Sequence, residues 1–476
     1  MRKIRKILVK LILLWVVFIV LSLAIPPLFH KSYDGKNQKT EALFESNQEN
    51  NQENKHGSSL KSNLQNQERV LSIDNNMDAL LWRLRLIEAA REKIIFTTFD
   101  LRDDQSGCEV MAALWNAAQR GVKIQILIDG INGQLRLNNS EYFRELAAHE
   151  NVEAKFYNPI TLIKPWMNNY RMHDKYLIAD DFAYILGGRN TNDLFLGNYS
   201  DSCNEDRDIL VYESVPGEGN SYKKLQEYFV QIWDLPCCVG FDKQWNGEKK
   251  LKDRYQEVQW NSPEVFKKTD WEKVTIETSG IDLWTNPVEP ENKEPLLWKK
   301  MVNVMKKEKD LVIQTPYIIS DKMIYQDLTE ICASAEKVDL MINAVESGTN
   351  PFGCTDYLNQ KENIRKTGVT VYEYLGEYAQ HTKTILAGEN ISMVGSCNLD
   401  MRSIYLDTEM MLVIDSPKLN ASIRDQISVL KEKSRQISPD GTVTDGEQYE
   451  PEEQSTQKKL FYGVLRILTV PFRQLL

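Results

Sequence analysis

Apolar residues in this chain fall into short aliphatic runs separated by amphipathic stretches, and the same succession of runs occurs twice. In the first half the runs 94–99 and 122–128 have strand character, the second with clear alternation. Their counterparts in the second half are 311–317 and 338–345. Between the members of each pair lies a stretch of helical period: 110–120, with Val110, Met111, Leu114 and Ala117 spaced along it, and 323–335. Each half then adds two apolar runs, 176–178 with 183–186 and 384–386 with 391–394, the second of each pair ending on glycine. A strand, helix, strand unit repeated at a nearly constant offset is an internal duplication. It predicts an α/β fold of two similar domains, with mixed sheets flanked by helices. The first half carries several extra residues, including Ile160, Leu162, Ile163, Trp166 and Met167. They predict either an apolar lip or packing against the second domain.

The two ends of the chain break the pattern. Arg2, Lys3, Arg5, Lys6 and Lys10 precede an uncharged, mainly apolar stretch over 11–29, long enough to span a bilayer as a helix. The reading is an anchor over 1–30; the alternative is a cleaved signal peptide, since Ser22, Leu23 and Ala24 have the small-x-small form of a cleavage site. Either way, the positive-inside rule puts the rest of the chain outside the cytoplasm, at the cell membrane. Residues 31–70 are rich in Asn, Gln, Glu, Lys and Ser and read as a disordered tether. The first domain is expected over 71–255 and the second over 256–437, followed by an acidic polar linker over 438–457. The final segment, 458–476, lacks acidic residues. Lys459, Tyr462, Arg466, Thr469 and Arg473 recur there at helical spacing, predicting a basic amphipathic helix that lies on a membrane or on the protein.

The candidate chemistry sits just after corresponding points of the repeat. The first half has His173, Lys175, Gly187, Gly188 and Asn190; the second has His381, Lys383, Gly395, Ser396 and Asn398. In both, Lys follows His by two residues and Asn follows it by seventeen, in a chain with only five histidines. From average residue usage the chance of both partners at those offsets is roughly one in a few hundred per histidine, so two such sets are not coincidence. On a strand, residues two apart share a face, so each His and Lys can enter one pocket. Imidazole can attack phosphorus or protonate a leaving oxygen, while lysine neutralises phosphoryl oxygens. Glycine at the turn admits a bound anion close to the backbone. An acid also precedes an apolar run after each motif, in Asp206-Arg207-Asp208 and in Glu409. Such an acid can hold a ring N–H and fix the tautomer.

These motifs resemble the paired HKD motifs of the phospholipase D superfamily, of form H-x-K-x4-D-x6-G-[SG]-x-N. The first copy fits fully, with Asp180 at the acidic position; the second has Gly388 there. The context, including Gly187-Gly188-Arg189-Asn190 and Asn398-Leu399-Asp400-Met401-Arg402-Ser403, is similar to the bacterial cardiolipin synthase branch, over residues 73–436. The resemblance implies one active site shared at the interface of two phospholipase D-like domains. It implies catalytic roles for His173, Lys175, Asp180, Asn190, His381, Lys383 and Asn398, supported by Gly188, Ser396, Asp208 and Glu409. It suggests Asp208 as the partner of His173 and Glu409 as the partner of His381, with His173 as nucleophile and His381 as acid. No cofactor or metal is implied. The implied substrates are phospholipids, phosphatidylglycerol and also phosphatidylethanolamine. The implied product is cardiolipin; hydrolysis of phospholipid or another phosphodiester, and lipid binding without catalysis, are the rival readings.

Composition narrows the field further. A net charge of −10 argues against a general nucleic-acid binder, which presents a basic surface. The seven cysteines show neither C-x-x-C nor histidine-paired metal spacing.

Overall fold

The computed structural model of the chain describes residues 13–18, 20–22, 25, 68–451 and 453–475. Each half builds a nine-stranded sheet. In the first, spatial order runs Ile276–Glu277, Glu68–Ile73, Asp208–Glu213, Ala183–Gly187, Tyr176–Ala179, Lys93–Thr98, Lys123–Asp129, Val152–Tyr157, Cys238–Gly240. In the second it runs Gly280–Thr285, Met410–Asp415, Ile391–Gly395, Thr384–Ala387, Asp310–Gln314, Lys337–Asn343, Thr370–Tyr374, Ser434–Ile437, Val443–Asp445. Both sheets are mixed in the same way. Lys93–Thr98, Lys123–Asp129 and Val152–Tyr157 run parallel, as do Asp310–Gln314, Lys337–Asn343 and Thr370–Tyr374, and the other pairings are antiparallel.

The repeat extends to the caps. Helix Gln105–Gln119 begins at Asp104, whose carboxylate accepts from Gly107 N, and helix Lys322–Ser334 begins at Asp321, whose carboxylate accepts from Ile324 N. Strand alternation explains why the central strands are apolar on both faces. Ile94 and Phe96 pack outward against Val110, Met111 and Leu114, while Ile95 faces inward. Likewise Leu311 and Ile313 point to the outer core of the second half and Val312 points inward. The inward residues of the two sheets meet in one core. Ile95, Leu127 and Tyr176 join Val312, Met341 and Leu386 there, with Phe229 from helix Asn220–Trp233 and Ile423 from helix Pro417–Glu432. Two mixed α/β halves therefore share a buried interface, and whatever lies across it is held rigidly.

Several boundaries differ from the sequence reading. Position 255 falls inside helix Leu251–Asn261, which buries Leu251, Tyr255 and Val258 in the first core. The first sheet even takes an edge strand from beyond it, Ile276–Glu277, paired with Glu68–Ile73. The stretch 438–457 is not a plain linker, because Val443–Asp445 adds to the second sheet beside Ser434–Ile437. The terminal helix, Thr456–Leu468, packs on helix Pro351–Arg365 and buries Tyr462. The expected membrane segment and tether fall largely outside the described residues; among the described residues no helix is long and apolar enough to cross a membrane.

Candidate active site

Two short crossings of backbone bring the halves together at the motifs. Met172 bridges Thr408 in parallel, with Thr408 N donating to Arg171 O at 2.9 Å. In the mirror arrangement Ala379 and Gln380 pair in parallel with Asn204 and Glu205, and His381 N donates to Glu205 O at 2.6 Å. The residue before each histidine is thereby locked beside the residue before an acid of the opposite half. The side chains follow. His173 Nδ1 lies 2.9 Å from Glu409 Oε1, and His381 Nδ1 lies 2.6 Å from Asp206 Oδ2. With Nδ1–H donated to the acid, each imidazole keeps its Nε2 free of that contact. Phe99 packs edge-on to His173 at 5.0 Å between ring centroids and Phe195 to His381 at 4.9 Å, which fixes both ring planes.

The pairing of acids corrects the sequence reading on both sides. Glu409 serves His173, not the histidine of its own half, and the partner of His381 is Asp206. Asp208 faces away into an arginine cage, 2.9 Å from Arg83 Nη1 and 3.3 Å from Arg189 Nη1, with Arg189 fully buried. Strand register shows why. Gly187 pairs with Asp208 and Gly395 with Met411, so the counterpart of Glu409 is Asp206, two residues before the position that precedes the apolar run.

Lys175 and Lys383 are buried, and each donates to the backbone carbonyl of its own histidine. Lys383 Nζ also stands 2.6 Å from His381 Nδ1 and 3.2 Å from Nε2. Asn190 and Asn398 are buried at the ends of the glycine turns, and the side-chain oxygen of each lacks a hydrogen-bond partner. Rotated by half a turn, both amides would offer N–H donors at those places, the polarity that a phosphoryl oxygen needs.

Gly188 leaves room for the first acid, because a Cβ there would come within 2.4 Å of Asp206 Oδ2. At the equivalent place Ser396 instead donates to Glu409 Oε2, and Ser403 donates to Glu409 Oε1 at 2.5 Å. Asp180 stands apart from this group. It lies at the far end of strand Tyr176–Ala179, about 17 Å along the chain from Lys175 at strand rise. In a left-handed conformation with φ of 50°, it accepts from the backbone N–H groups of Arg91, Glu92 and Lys93. It ties two strands together and does not reach the histidines. At Gly388, also left-handed with φ of 61°, a Cβ would meet Glu308 Oε2 at 2.3 Å, so a glutamate from the facing strand end crowds the space of the missing acid.

Electrostatics make the two halves unequal. Burial and the charges of Lys175 and Lys383 hold His173 well below its ordinary value. Burial and Lys383 bring His381 down to about 4, against the pull of Asp206. Burial works to raise Asp206, but Lys383 and the hydrogen bond from His381 outweigh it and bring the carboxyl down to about 2. Glu409 goes the other way: burial pushes it up to about 8 despite Lys175 and two serine hydroxyls. Lys175 falls to about 8, chiefly through burial and with Lys383 adding to the fall. His381 thus rests on an ionised carboxylate and His173 on a carboxyl that tends to stay neutral.

Asp206, Phe99 and Phe195 were not picked out from the sequence. For Asp206 the signal lay in the Asp206-Arg207-Asp208 run, one acid too late; for the two phenylalanines there was none.

Comparison with known proteins agrees with this architecture. The family model described as cardiolipin synthase, PLD-like domain, matches residues 84–233 and 301–430, one match in each half. Cardiolipin synthase C of Escherichia coli (strain K12) is 24% identical over 391 residues, 74% of this chain and 82% of its own. Cardiolipin synthase 1 of Staphylococcus epidermidis (strain ATCC 12228 / FDA PCI 1200) is 26% identical over 402 residues, 82% of this chain and 74% of its own. Among solved structures, phosphatidylserine synthase of Haemophilus influenzae Rd KW20 aligns with a TM-score of 0.58 at 14% identity, covering 87% of this chain and 99% of that one, a likeness of fold. With both halves matched and each contributing one His, Lys and Asn set, the chain belongs to the phospholipase D-like cardiolipin synthase family.

Proposed function

We propose that the chain is a phosphatidyltransferase that joins two phospholipids into cardiolipin, taking a phosphatidyl group from one and passing it to the glycerol hydroxyl of phosphatidylglycerol. The observation that carries this reading is the exchange of acids across the interface, which holds two imidazoles by Nδ1 and leaves both Nε2 atoms for a single phosphodiester. His173 Nε2 attacks phosphorus; the P–N bond forms as the P–O bond to the departing alcohol breaks, and His381, which takes up a proton on Nε2 as the anionic phosphodiester binds, gives that proton to the oxygen. His381 then takes the proton of the incoming hydroxyl, whose oxygen attacks phosphorus and releases His173.

The unequal acids support this order of roles. A histidine beside a neutral-tending carboxyl stays an unprotonated nucleophile, as His173 needs. One beside an ionised carboxylate accepts a proton more readily, and the negative charge of a bound phosphodiester strengthens that tendency. Lys175, Lys383, Asn190 and Asn398 hold the phosphoryl oxygens and stabilise the charge that gathers on them. Gly188 and Ser396 seat the two acids, and Asp180 braces the first strand pair from a distance.

The test is turnover. Full-length protein and its His173→Ala variant are incubated with liposomes of phosphatidylglycerol and phosphatidylethanolamine, and the lipids are resolved by mass spectrometry. Cardiolipin formed only by the unaltered protein supports the reading, and the co-product, glycerol or ethanolamine, names the donor. Phosphatidic acid alone would make it a hydrolase, and no lipid change would remove the assignment.

A further inference from the structure

The C-terminal helix is mounted the opposite way to an ordinary surface helix. Much of its polar and basic stripe reaches back to the protein, with only Lys459 and Arg466 of that stripe exposed. Tyr462 and Thr469 are buried, Lys458 Nζ donates to Glu346 O, Arg466 Nε donates to Asn359 Oδ1, and Arg473 pairs with Asp356. The apolar residues point out. Leu460, Ile467 and Leu468 are 70%, 75% and 60% exposed, and Phe461, Val464, Val470 and Phe472 are exposed as well. Amphipathic helices of globular proteins bury the apolar side, because water gains nothing from meeting it. A contiguous exposed ridge of this kind marks a surface that is covered in use.

Its position and charge say what covers it. Arg402 joins three elements: Nη1 donates to Leu475 O, and Nη2 donates to Asn169 O and to Asp407 Oδ1. Asp407 is two residues from Glu409, the partner of His173. Asn169 ends the segment Pro165–Asn169, and just before it Leu162 and Ile163 are 57% and 84% exposed. The turn that follows the ridge and the segment that follows this apolar loop are therefore tied to the same guanidinium, on the side of the His173 half-site. In a chain of net charge −10, no acidic residue follows Glu453. Lys459 and Arg466 are exposed, and Lys458 and Arg466 donate to neutral oxygens, those of Glu346 O, Asn359 Oδ1 and Leu358 O.

We propose that helix Thr456–Leu468, the turn Val470–Leu475 and the loop carrying Leu162 and Ile163 form one docking surface for the interfacial layer of an anionic phospholipid bilayer. The basic stripe clamps the helix to the protein so that its apolar ridge enters the acyl boundary, and the free cationic groups meet anionic headgroups. The site would then open at the lipid surface from which its substrate must be drawn. This extends the proposed reaction, but its test reads contact with lipid and not turnover, so the two can fail separately.

The test uses the full chain with vesicles of phosphatidylglycerol and phosphatidylethanolamine, doped with a phospholipid that carries a photoreactive group in its acyl chain. Irradiation followed by peptide mapping should label residues 456–475 and the loop at 160–163. The double variant Leu460→Ser, Ile467→Ser changes only outward side chains, so its melting temperature should match the unaltered protein. Its labelling of 456–475 should fall by at least about tenfold, a lower bound on what the loss of two aliphatic side chains from an apolar phase predicts. Vesicles of phosphatidylcholine alone should label that region clearly less. The proposal is overturned by labelling confined to the N-terminal residues, by a variant labelled as strongly as the original, or by equal labelling on phosphatidylcholine. It is also overturned if the ridge instead joins two copies of the chain, seen as a lipid-free dimer that the double variant abolishes.

Discussion

Asp206 and Asp208 stand two residues apart, and the structure gives them opposite tasks that one pair of substitutions separates. Asp206→Asn keeps the shape and an acceptor for His381 Nδ1–H but removes the charge that now lies 2.6 Å away. A hydrogen bond to a charged group exceeds a neutral one by about 1–2 kcal/mol. At about 1.4 kcal/mol per decade, that predicts a roughly 5- to 30-fold loss of kcat per folded molecule, together with a lower melting temperature, because the buried ammonium of Lys383 loses its countercharge. Asp208→Asn leaves Arg83 and Arg189 without their shared carboxylate in a dry interior. Breaking a buried pair from one side costs about 3–5 kcal/mol, so this variant should melt markedly earlier, while the fraction still folded turns over normally. The assay is cardiolipin formation per folded molecule, measured beside thermal denaturation of both variants. An Asp206→Asn enzyme at full rate, or an Asp208→Asn enzyme that loses turnover with its melting unchanged, would refute the exchanged-acid geometry.

Three further outcomes follow from the same structure. Lys175 is brought down to about 8, so its ammonium is present below that pH and lost above it; kcat/KM should fall on the alkaline side from about pH 8, and Lys175→Arg should move that limb upward. Glu409 is pushed from 4.5 up to about 8, so the folded state keeps a proton that the unfolded chain releases near 4.5. Its stability contribution is therefore full below pH 4.5 and declines as pH rises toward 8, and Glu409→Gln should flatten that decline in melting temperature. Restoring the motif by Gly388→Asp should destabilise the protein by about 1–3 kcal/mol, since it puts a side chain at positive φ against Glu308, and adding Glu308→Ala should recover part of the loss in a melting experiment.

Much of the fold was legible because the duplication is written in hydrophobic runs. Strands expected at 94–99 and 311–317 are found at Lys93–Thr98 and Asp310–Gln314, a residue or more from their predicted ends. What sequence could not show was partnership across the interface. Glu409 and His173 are 236 residues apart, and they meet only because Met172 bridges Thr408. Spacing alone favoured an acid within the same half, and the later aspartate of an Asp-x-Asp run. The domain limit at 255 failed for a related reason: the polar surface of helix Leu251–Asn261 hides the three residues that anchor it to the first core. Asp180 shows that a motif position can serve the scaffold, since its carboxylate is spent on three backbone N–H groups. The amphipathic period over 458–476 was visible, but which side of the helix faced the protein was not, because Arg473 and Tyr462 find their partners on a distant helix.

The central claim is that His173, held by Glu409 from the other half, carries the phosphatidyl group between two lipids. The most direct measurement is to mix full-length protein with phosphatidylglycerol vesicles, quench within the turnover time in alkaline denaturant, and map the adduct by peptide mass spectrometry. The account predicts a phosphatidyl mass on the peptide containing His173, absent from His173→Ala and accumulating in His381→Ala if the first transfer still proceeds. An adduct on His381 instead, or sustained cardiolipin synthesis by His173→Ala, would contradict it.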